Sequence, residues 1–361
     1  MHQPQGAGPG LFGGCPLRKE GIFITTSPVI FSPEGLTLTR DERAFFKESS
    51  PYGLILFARN INDPDQVAGL IVEIKALLGR DNMAIFVDQE GGRVQRLGPP
   101  HWRPAPPMAP FGALYAQDPE RAKEALFLNI QMIGLELKAL GFTVDCLPVI
   151  DVPVAGADNI IGDRAFSENP EIVAALGRVA IDGLMSVGIL PVIKHIPGHG
   201  RAAVDSHKAL PLVATAKADL MTNDFLPFQR LKDCPFAMTA HVVYQDIDRN
   251  GPATFSIKIV EEVIRREIGF ENFLISDDLA MRALYGSFKK RAEMTLGAGV
   301  DLVLHCSGNL REMEGVMAGV SAMSPGKESR LASLLEMPQK GDGLVIGEVL
   351  ERYQEIAGKL K

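Results

Sequence analysis

The stretch Gly53–Val87, GLILFARNINDPDQVAGLIVEIKALLGRDNMAIFV, decides the fold class. It opens with an apolar run, Gly53–Phe57, and closes with a second, Met83–Val87. Both read as strands buried on two faces, because neither alternates polar with apolar residues. Between them Asp63-Pro64 marks a helix start, with Asp as N-cap and Pro in the first turn. Val67, Ile71, Ile74 and Leu78 then form a single apolar stripe. A strand, a crossing helix and a second strand make a βαβ unit, which calls for a parallel sheet.

The unit recurs along the chain. Further apolar runs lie at Gly21–Thr25, Thr143–Ile150, Ile189–Ile193, Pro235–Thr239, Phe273–Ser276 and Val300–Leu304, so eight strands are predicted. Helices are predicted from Asp118-Pro119 to Gly141 and from Asn169-Pro170 to Gly188. Another runs from Ser256 to Gly269, with Val260, Val263 and Ile264 turned inward. Eight βα units favour a closed (β/α)8 barrel, a TIM-type fold, over an open doubly wound sheet. No Gly-x-Gly-x-x-Gly follows the first strand, which weakens a dinucleotide-binding reading. The expected organisation is a flexible N-terminal segment, residues 1–20, and one catalytic barrel, residues 21–361, ending in a helical tail after Ser324 with a Gly-rich break at Gly341–Gly343.

Composition narrows the function. The chain of 361 residues has 46% hydrophobic and 22% charged residues, a globular balance. Its formal net charge of −7 argues against a nucleic-acid partner, which requires a basic face. No apolar run approaches the roughly 18 residues of a membrane span. Cys15, Cys146, Cys234 and Cys306 form no C-x-x-C pair, and the first 14 residues lack the basic start and apolar core of a secretion signal. A reduced, cytoplasmic protein is the expectation.

In a barrel of this kind chemistry sits where strands end. Asp88-Gln89-Glu90 follows the third run, Asp151 the fourth, Lys194-His195 the fifth, His241 the sixth, Asp277-Asp278 the seventh and His305 the eighth. Five of the seven histidines (His195, His199, His207, His241 and His305) fall at or just past a strand end. His195-x3-His199 could suit a zinc hydrolase, but Pro197-Gly198 breaks the helix that would align the rings, and no early His-x-His supports it. Acid/base and nucleophilic chemistry without a metal or other cofactor fits better. Asp277 ends a strand, a rigid seat for a nucleophilic carboxylate. Asp205 can fix the tautomer of His207, which can then act as acid and as base. Asp205-Ser206-His207 alone suits a turn or helix cap better, and it is its position shortly after a basic, Gly-rich strand end that favours the acid/base reading.

Lys194–His207, KHIPGHGRAAVDSH, resembles the signature of glycoside hydrolase family 3, and within it the bacterial β-N-acetylhexosaminidases. Leu56–Asn60 (LFARN), Asp88–Arg96 (DQEGGRVQR), Gly162–Phe166 (GDRAF) and Ser276–Met281 (SDDLAM) agree in order and spacing, so the resemblance runs from about residue 20 to about residue 320. It implies Asp277 as nucleophile and His207 as acid/base, oriented by Asp205. It implies that Asp88 binds sugar hydroxyls, that Arg96, Arg164, Lys194 and His195 line an N-acetylglucosamine subsite, and that Met281 packs near the nucleophile. Glu90, Arg93 and His199 would support the site, and Asp278 would be a local structural carboxylate.

By the same resemblance the reaction is retaining removal of terminal β-N-acetylglucosamine. The substrate is a 1,6-anhydro-muropeptide of peptidoglycan recycling, with a link to β-lactamase induction in some bacteria. A monomer is expected, though the resemblance does not carry that. Arg201-Ala202 replace an acidic residue and a threonine common among relatives, and the chain is too short for the second α/β domain many of them carry. A glycoside phosphorylase remains an alternative, since a neutral histidine would not repel phosphate. So does a non-catalytic sugar-binding barrel, against which the intact Asp277 and His207 argue.

Overall fold

The computed structural model describes residues 26–202, 209–336 and 343–358. Eight strands form a closed barrel: β1 Ser27–Phe31, β2 Pro51–Leu56, β3 Ala84–Val87, β4 Val144–Asp145, β5 Leu190–Ile196, β6 Phe236–Thr239, β7 Phe273–Asp278 and β8 Leu302–Leu304. Each pairs in parallel with its neighbours in sequence, and β1 pairs with β8 to close the ring. The expected (β/α)8 barrel is therefore the fold.

The apolar runs are continuous because alternate residues serve two cores. Ile55, Phe86, Val192, Phe236, Ile275 and Leu302 fill the barrel interior. Leu54, Ile85, Ile193, Ala237, Leu274 and Val303 face the surrounding helices. Those helices are α1 Arg40–Ser49, α2 Pro64–Leu78, α3 Pro119–Leu140, α4 Pro170–Ser186, α5 Leu226–Arg230, α6 Phe288–Gly297 and α7 Leu310–Met317. The predicted starts hold: Asp63, Asp118 and Asn169 each accept a backbone N–H of the first turn, from Gln66, Arg121 and Glu171. Gly141 ends α3 at φ 95°, a left-handed conformation that favours glycine.

Three expectations change. The run Gly21–Thr25 lies outside the described residues, and the barrel's first strand is Ser27–Phe31. Its Pro28 falls where the β1–β2 register shifts between Ser27 and Ile30, a place where a missing N–H costs no ladder bond. Thr143–Ile150 is regular strand only at Val144–Asp145, because Pro148 cannot donate; the ladder resumes irregularly, with Lys194 N–H donating to the Pro148 carbonyl. The helix expected from Ser256 winds as a π-helix over Ile259–Ile268, with Val260, Val263 and Ile264 buried and Gly269 at its end as expected.

One end of the barrel is sealed. In α8, Pro325–Leu335, Leu331, Leu334 and Leu335 pack with Met323 against the interior cluster. Glu328 accepts the N–H of Thr26, ahead of β1, and Lys327 pairs with Asp301, ahead of β8, so α8 covers the N-terminal ends of the strands. The C-terminal ends are left to carry polar groups. A final helix, α9 Ile346–Ala357, packs along α3, where Arg121 Nε donates to the Ile356 carbonyl. Cys146, Cys234 and Cys306 are unbridged. Among the described residues no helix is long and apolar enough to cross a membrane.

Candidate active site

At the C-terminal ends of the strands lies a cavity of about 200 Å³. Ile55, Met238 and Leu304 from the barrel interior form its apolar floor, and polar groups from five strand ends, those of four of them charged, converge above them. Asp88 and Glu90 follow β3, Lys194 and His195 belong to β5, Asp277 and Asp278 close β7, and Cys306 follows β8. The loop after β4 contributes Arg164.

Lys194 organises the charges. Its Nζ lies 2.8 Å from Asp88 Oδ1 and 2.7 Å from Glu90 Oε1. Arg96 reaches Asp88 Oδ2 at 3.1 Å, and Arg164 grips Glu90 with both arms, Nε to Oε2 at 2.7 Å and Nη2 to Oε1 at 2.8 Å. Burial alone would neutralise every member. For Asp88 the Lys194 and Arg96 cations outweigh it and hold the carboxyl well below its usual range. Glu90 is likewise lowered by Lys194 and Arg164, and in return Asp88 and Glu90 keep the buried ammonium of Lys194 charged. Arg93 holds the neighbouring loop, its Nη2 donating to the carbonyls of Asn159, Ile160 and Ile161 and its Nε to Asp163.

A second cluster centres on Asp151, fully buried past β4. Its Oδ2 lies 2.7 Å from His195 Nδ1, and its Oδ1 accepts the backbone N–H of His195 at 3.1 Å and of His199 at 2.7 Å. Burial opposes its charge, but His195 outweighs it and the carboxyl is lowered. Burial, then the neighbouring His195, pushes His199 down to about 4, so its ring is neutral. Asp277 Oδ1 accepts the N–H of Asp278 at 2.8 Å, and Asp278 Oδ1 in turn accepts from Ala280 and Cys306 at 2.9 and 3.0 Å.

This arrangement, carboxylates and fixed cations around a small barrel-mouth cavity, suits a polyhydroxylated ligand and displacement at carbon. Residues 29–332 match the glycosyl hydrolase family 3 N terminal domain. The chain belongs to glycosyl hydrolase family 3. A β-hexosaminidase of Alkalilimnicola ehrlichii is 39% identical over 92% of this chain and 95% of its own. One from Nitrosomonas eutropha is 39% identical over 78% and 80%. Among solved structures, NagZ from Neisseria gonorrhoeae in complex with N-trifluoroacetyl-D-glucosamine superposes with a TM-score of 0.83 at 31% identity, over 93% of this chain and 98% of that one. The protein is a family 3 glycoside hydrolase of the β-N-acetylhexosaminidase type.

Of the residues singled out in the family motifs, Asp88, Arg96, Arg164, Lys194, His195 and Asp277 line one cavity. Met281 does not line it; it is buried in the turn whose N–H bonds the Asp278 carbonyl. Asp205 and His207 lie outside the described residues. The sequence placed Asp151 at a strand end without a partner, and its grip on His195 needs the cross-strand geometry. Phe57 was also missed. It lines the cavity with the guanidinium of Arg96 at 5.3 Å and that of Arg59 at 5.1 Å from its ring centre. Its signal was its place in LFARN at the end of β2. Among the described residues no group of three or more His, Cys, Asp or Glu could hold a metal ion.

Proposed function

We propose that this hydrolase is a retaining exo-β-N-acetylglucosaminidase that removes terminal, non-reducing β-linked N-acetylglucosamine. Asp277 attacks the anomeric carbon while His207, oriented by Asp205, protonates the leaving oxygen. Water deprotonated by His207 then releases the glycosyl-enzyme. The observation that carries this reading is the single cavity shared by Asp277 and the set Asp88, Arg96, Arg164, Lys194 and His195. The paired charges hold ready-made acceptors and donors for sugar hydroxyls and an acetamido group, with little reorganisation on binding.

The preferred substrate is N-acetylglucosaminyl-1,6-anhydro-N-acetylmuramic acid with or without its peptide, as in cytoplasmic peptidoglycan recycling, and the working unit is one monomeric barrel spanning residues 21–361. The β-hexosaminidase names of the relatives and the N-acylglucosamine ligand of the gonococcal neighbour support the N-acetylglucosamine half of this substrate. Product analysis on that disaccharide, with and without phosphate, tests it. Free N-acetylglucosamine at an unchanged rate is expected; a sugar 1-phosphate would assign a phosphorylase, and binding without turnover a sugar-binding barrel. In parallel, Asp277→Ala should abolish turnover of an aryl β-N-acetylglucosaminide.

A further inference from the structure

His241, two residues past β6, is wholly buried, lines no part of the cavity and has no role in the scheme above. Its Nε2 lies 3.1 Å from the Asp278 carbonyl oxygen and its Nδ1 2.7 Å from Thr254 Oγ1. A carbonyl can only accept, so Nε2 carries the proton. Burial keeps the ring neutral, so Nδ1 accepts from the Thr254 hydroxyl. The Thr254 hydroxyl also lies 3.2 Å from the Ala240 carbonyl, but the neutral ring's Nδ1, nearer at 2.7 Å, takes its proton, and Thr254 then accepts from Thr239 Oγ1 at 2.9 Å. Donation therefore runs one way, from Thr239 through Thr254 and His241 to the backbone of Asp278.

That backbone is where the nucleophile is seated. Strand pairing between β6 and β7 ends at Met238 and Ile275, so the His241 contact joins the two strand ends beyond the last rung. Asp278 is held on three sides, since its carboxylate accepts from the N–H groups of Ala280 and Cys306 and its carbonyl from both His241 and the Met281 N–H, and together these set the direction of its own N–H. That N–H donates to Asp277 Oδ1.

We propose that His241 is a positioning residue for Asp277, acting through the backbone of Asp278 to hold the nucleophilic carboxylate in its line of attack. The proposal rests on the reading of Asp277 as the nucleophile. Attack requires an aligned carboxylate, and a displacement of about 1 Å costs about 100-fold in rate. On that reading the groups that hold the sugar in the ground state, Asp88, Arg96, Arg164, Lys194 and His195, sit on other strand ends and loops, so the loss falls on kcat.

The two amide replacements decide it. Glutamine places its amide donor, Nε2–H2, where the histidine Nε2 stood, whereas asparagine, one methylene shorter, reaches only toward Thr254. With an aryl β-N-acetylglucosaminide, His241→Asn and His241→Ala are expected to lose about 100-fold in kcat with KM within about threefold, while His241→Gln stays within about tenfold. Thermal melts and N-acetylglucosamine binding establish that each variant is folded. Should His241→Ala unfold, the Asn and Gln pair still discriminates. Equal turnover by His241→Asn and His241→Gln, or a loss confined to KM, overturns the proposal. Asp277→Ala is measured alongside. If it is inactive while His241→Asn matches His241→Gln, only this inference falls; if it turns over, the nucleophile assignment falls and this one with it.

Discussion

Asp151 and His195 meet at two points: the carboxylate accepts the ring Nδ1–H with Oδ2 at 2.7 Å and the backbone N–H with Oδ1 at 3.1 Å. The aspartate thus sets both the tautomer of His195, leaving Nε2 as its other ring nitrogen, and the path of the strand end that carries it. The same Oδ1 accepts from His199 N–H, so a single oxygen serves two buried donors. In Asp151→Asn the amide oxygen must keep those two donors, which turns the NH2 toward Nδ1 and drives the ring proton to Nε2. A loss of about 100-fold in kcat/KM is expected, with the fold retained. Asp151→Ala should in addition lose about 2–4 kcal/mol of stability, because buried donors lose their acceptor. Hydrolysis of an aryl β-N-acetylglucosaminide together with urea unfolding measures both. Activity within about threefold of wild type for Asp151→Asn would remove the tautomer role.

Lys194 is the shared counter-charge of Asp88 and Glu90. Lys194→Met leaves both buried carboxylates short of a cation, so stability should drop by about 3–5 kcal/mol at pH 7. The sign with pH follows from the lowered carboxyls of Asp88 and Glu90. Their stabilisation is present above the unfolded carboxyl range, about pH 4, and is lost as pH falls through their folded values. The deficit of Lys194→Met relative to wild type should therefore shrink at acid pH. Urea titrations at pH 7 and pH 3, the latter below the unfolded carboxyl range, give the two numbers, and an equal deficit at both would contradict the pairing.

The barrel was legible because eight buried runs cannot be satisfied by an open sheet of helix-flanked strands as simply as by a closed one, and because Asp63, Asp118 and Asn169 announce their helices by cap chemistry. The first strand was misplaced because Gly21–Thr25 also reads as an apolar run, while Ser27–Phe31 carries a proline that a ladder tolerates only at an irregularity such as the register shift beside it. The site was legible as a set of strand-end residues, since that periodic placement is one-dimensional. Which charges pair was not. Asp88 and Lys194 are 106 positions apart, and only barrel closure brings their strand ends together. Glu90 sits in the same block as Asp88, yet its commitment to Arg164, from the loop after β4, depends on where that loop folds.

His305 ends β8 fully buried, its ring edge-on to Phe31 and Phe288 and its Nε2 2.9 Å from Ser307 Oγ. Burial pushes it down to about 4. The unfolded chain takes up a proton near pH 6.5 that the folded ring refuses, so stability contributed by the neutral ring is full above about pH 6.5 and declines as pH falls toward 4. His199, also near 4, adds a second proton of the same sign. Each should cost about 2 kcal/mol between pH 7 and pH 5. In His305→Gln the slope of unfolding free energy over that interval should be shallower by one proton's worth. An unchanged slope would show that His305 titrates alike in both states.

Gly200 and Gly69 should respond oppositely to alanine. A Cβ on Gly200 would stand 1.9 Å from the Val152 carbonyl oxygen, an overlap that only a backbone shift relieves. Either segment that moves carries site residues: Val152 adjoins Asp151, and Gly200 leads toward Asp205 and His207. The segment is fastened there too, since Arg201 Nε pairs with Asp224 at 2.7 Å and the Ala202 carbonyl accepts from Asp158. Gly200→Ala should thus lose at least about tenfold in kcat/KM and about 1–3 kcal/mol of stability. Gly69 lies on the exposed face of α2 with nothing within 4 Å of a Cβ. Gly69→Ala should gain about 0.4–1 kcal/mol, because alanine loses less backbone entropy on entering a helix, and leave turnover unchanged. Melting curves and turnover for the pair separate steric overlap from helix propensity. A Gly200→Ala protein as active and stable as Gly69→Ala would mean that the close approach of Gly200 to Val152 is not needed to hold the site.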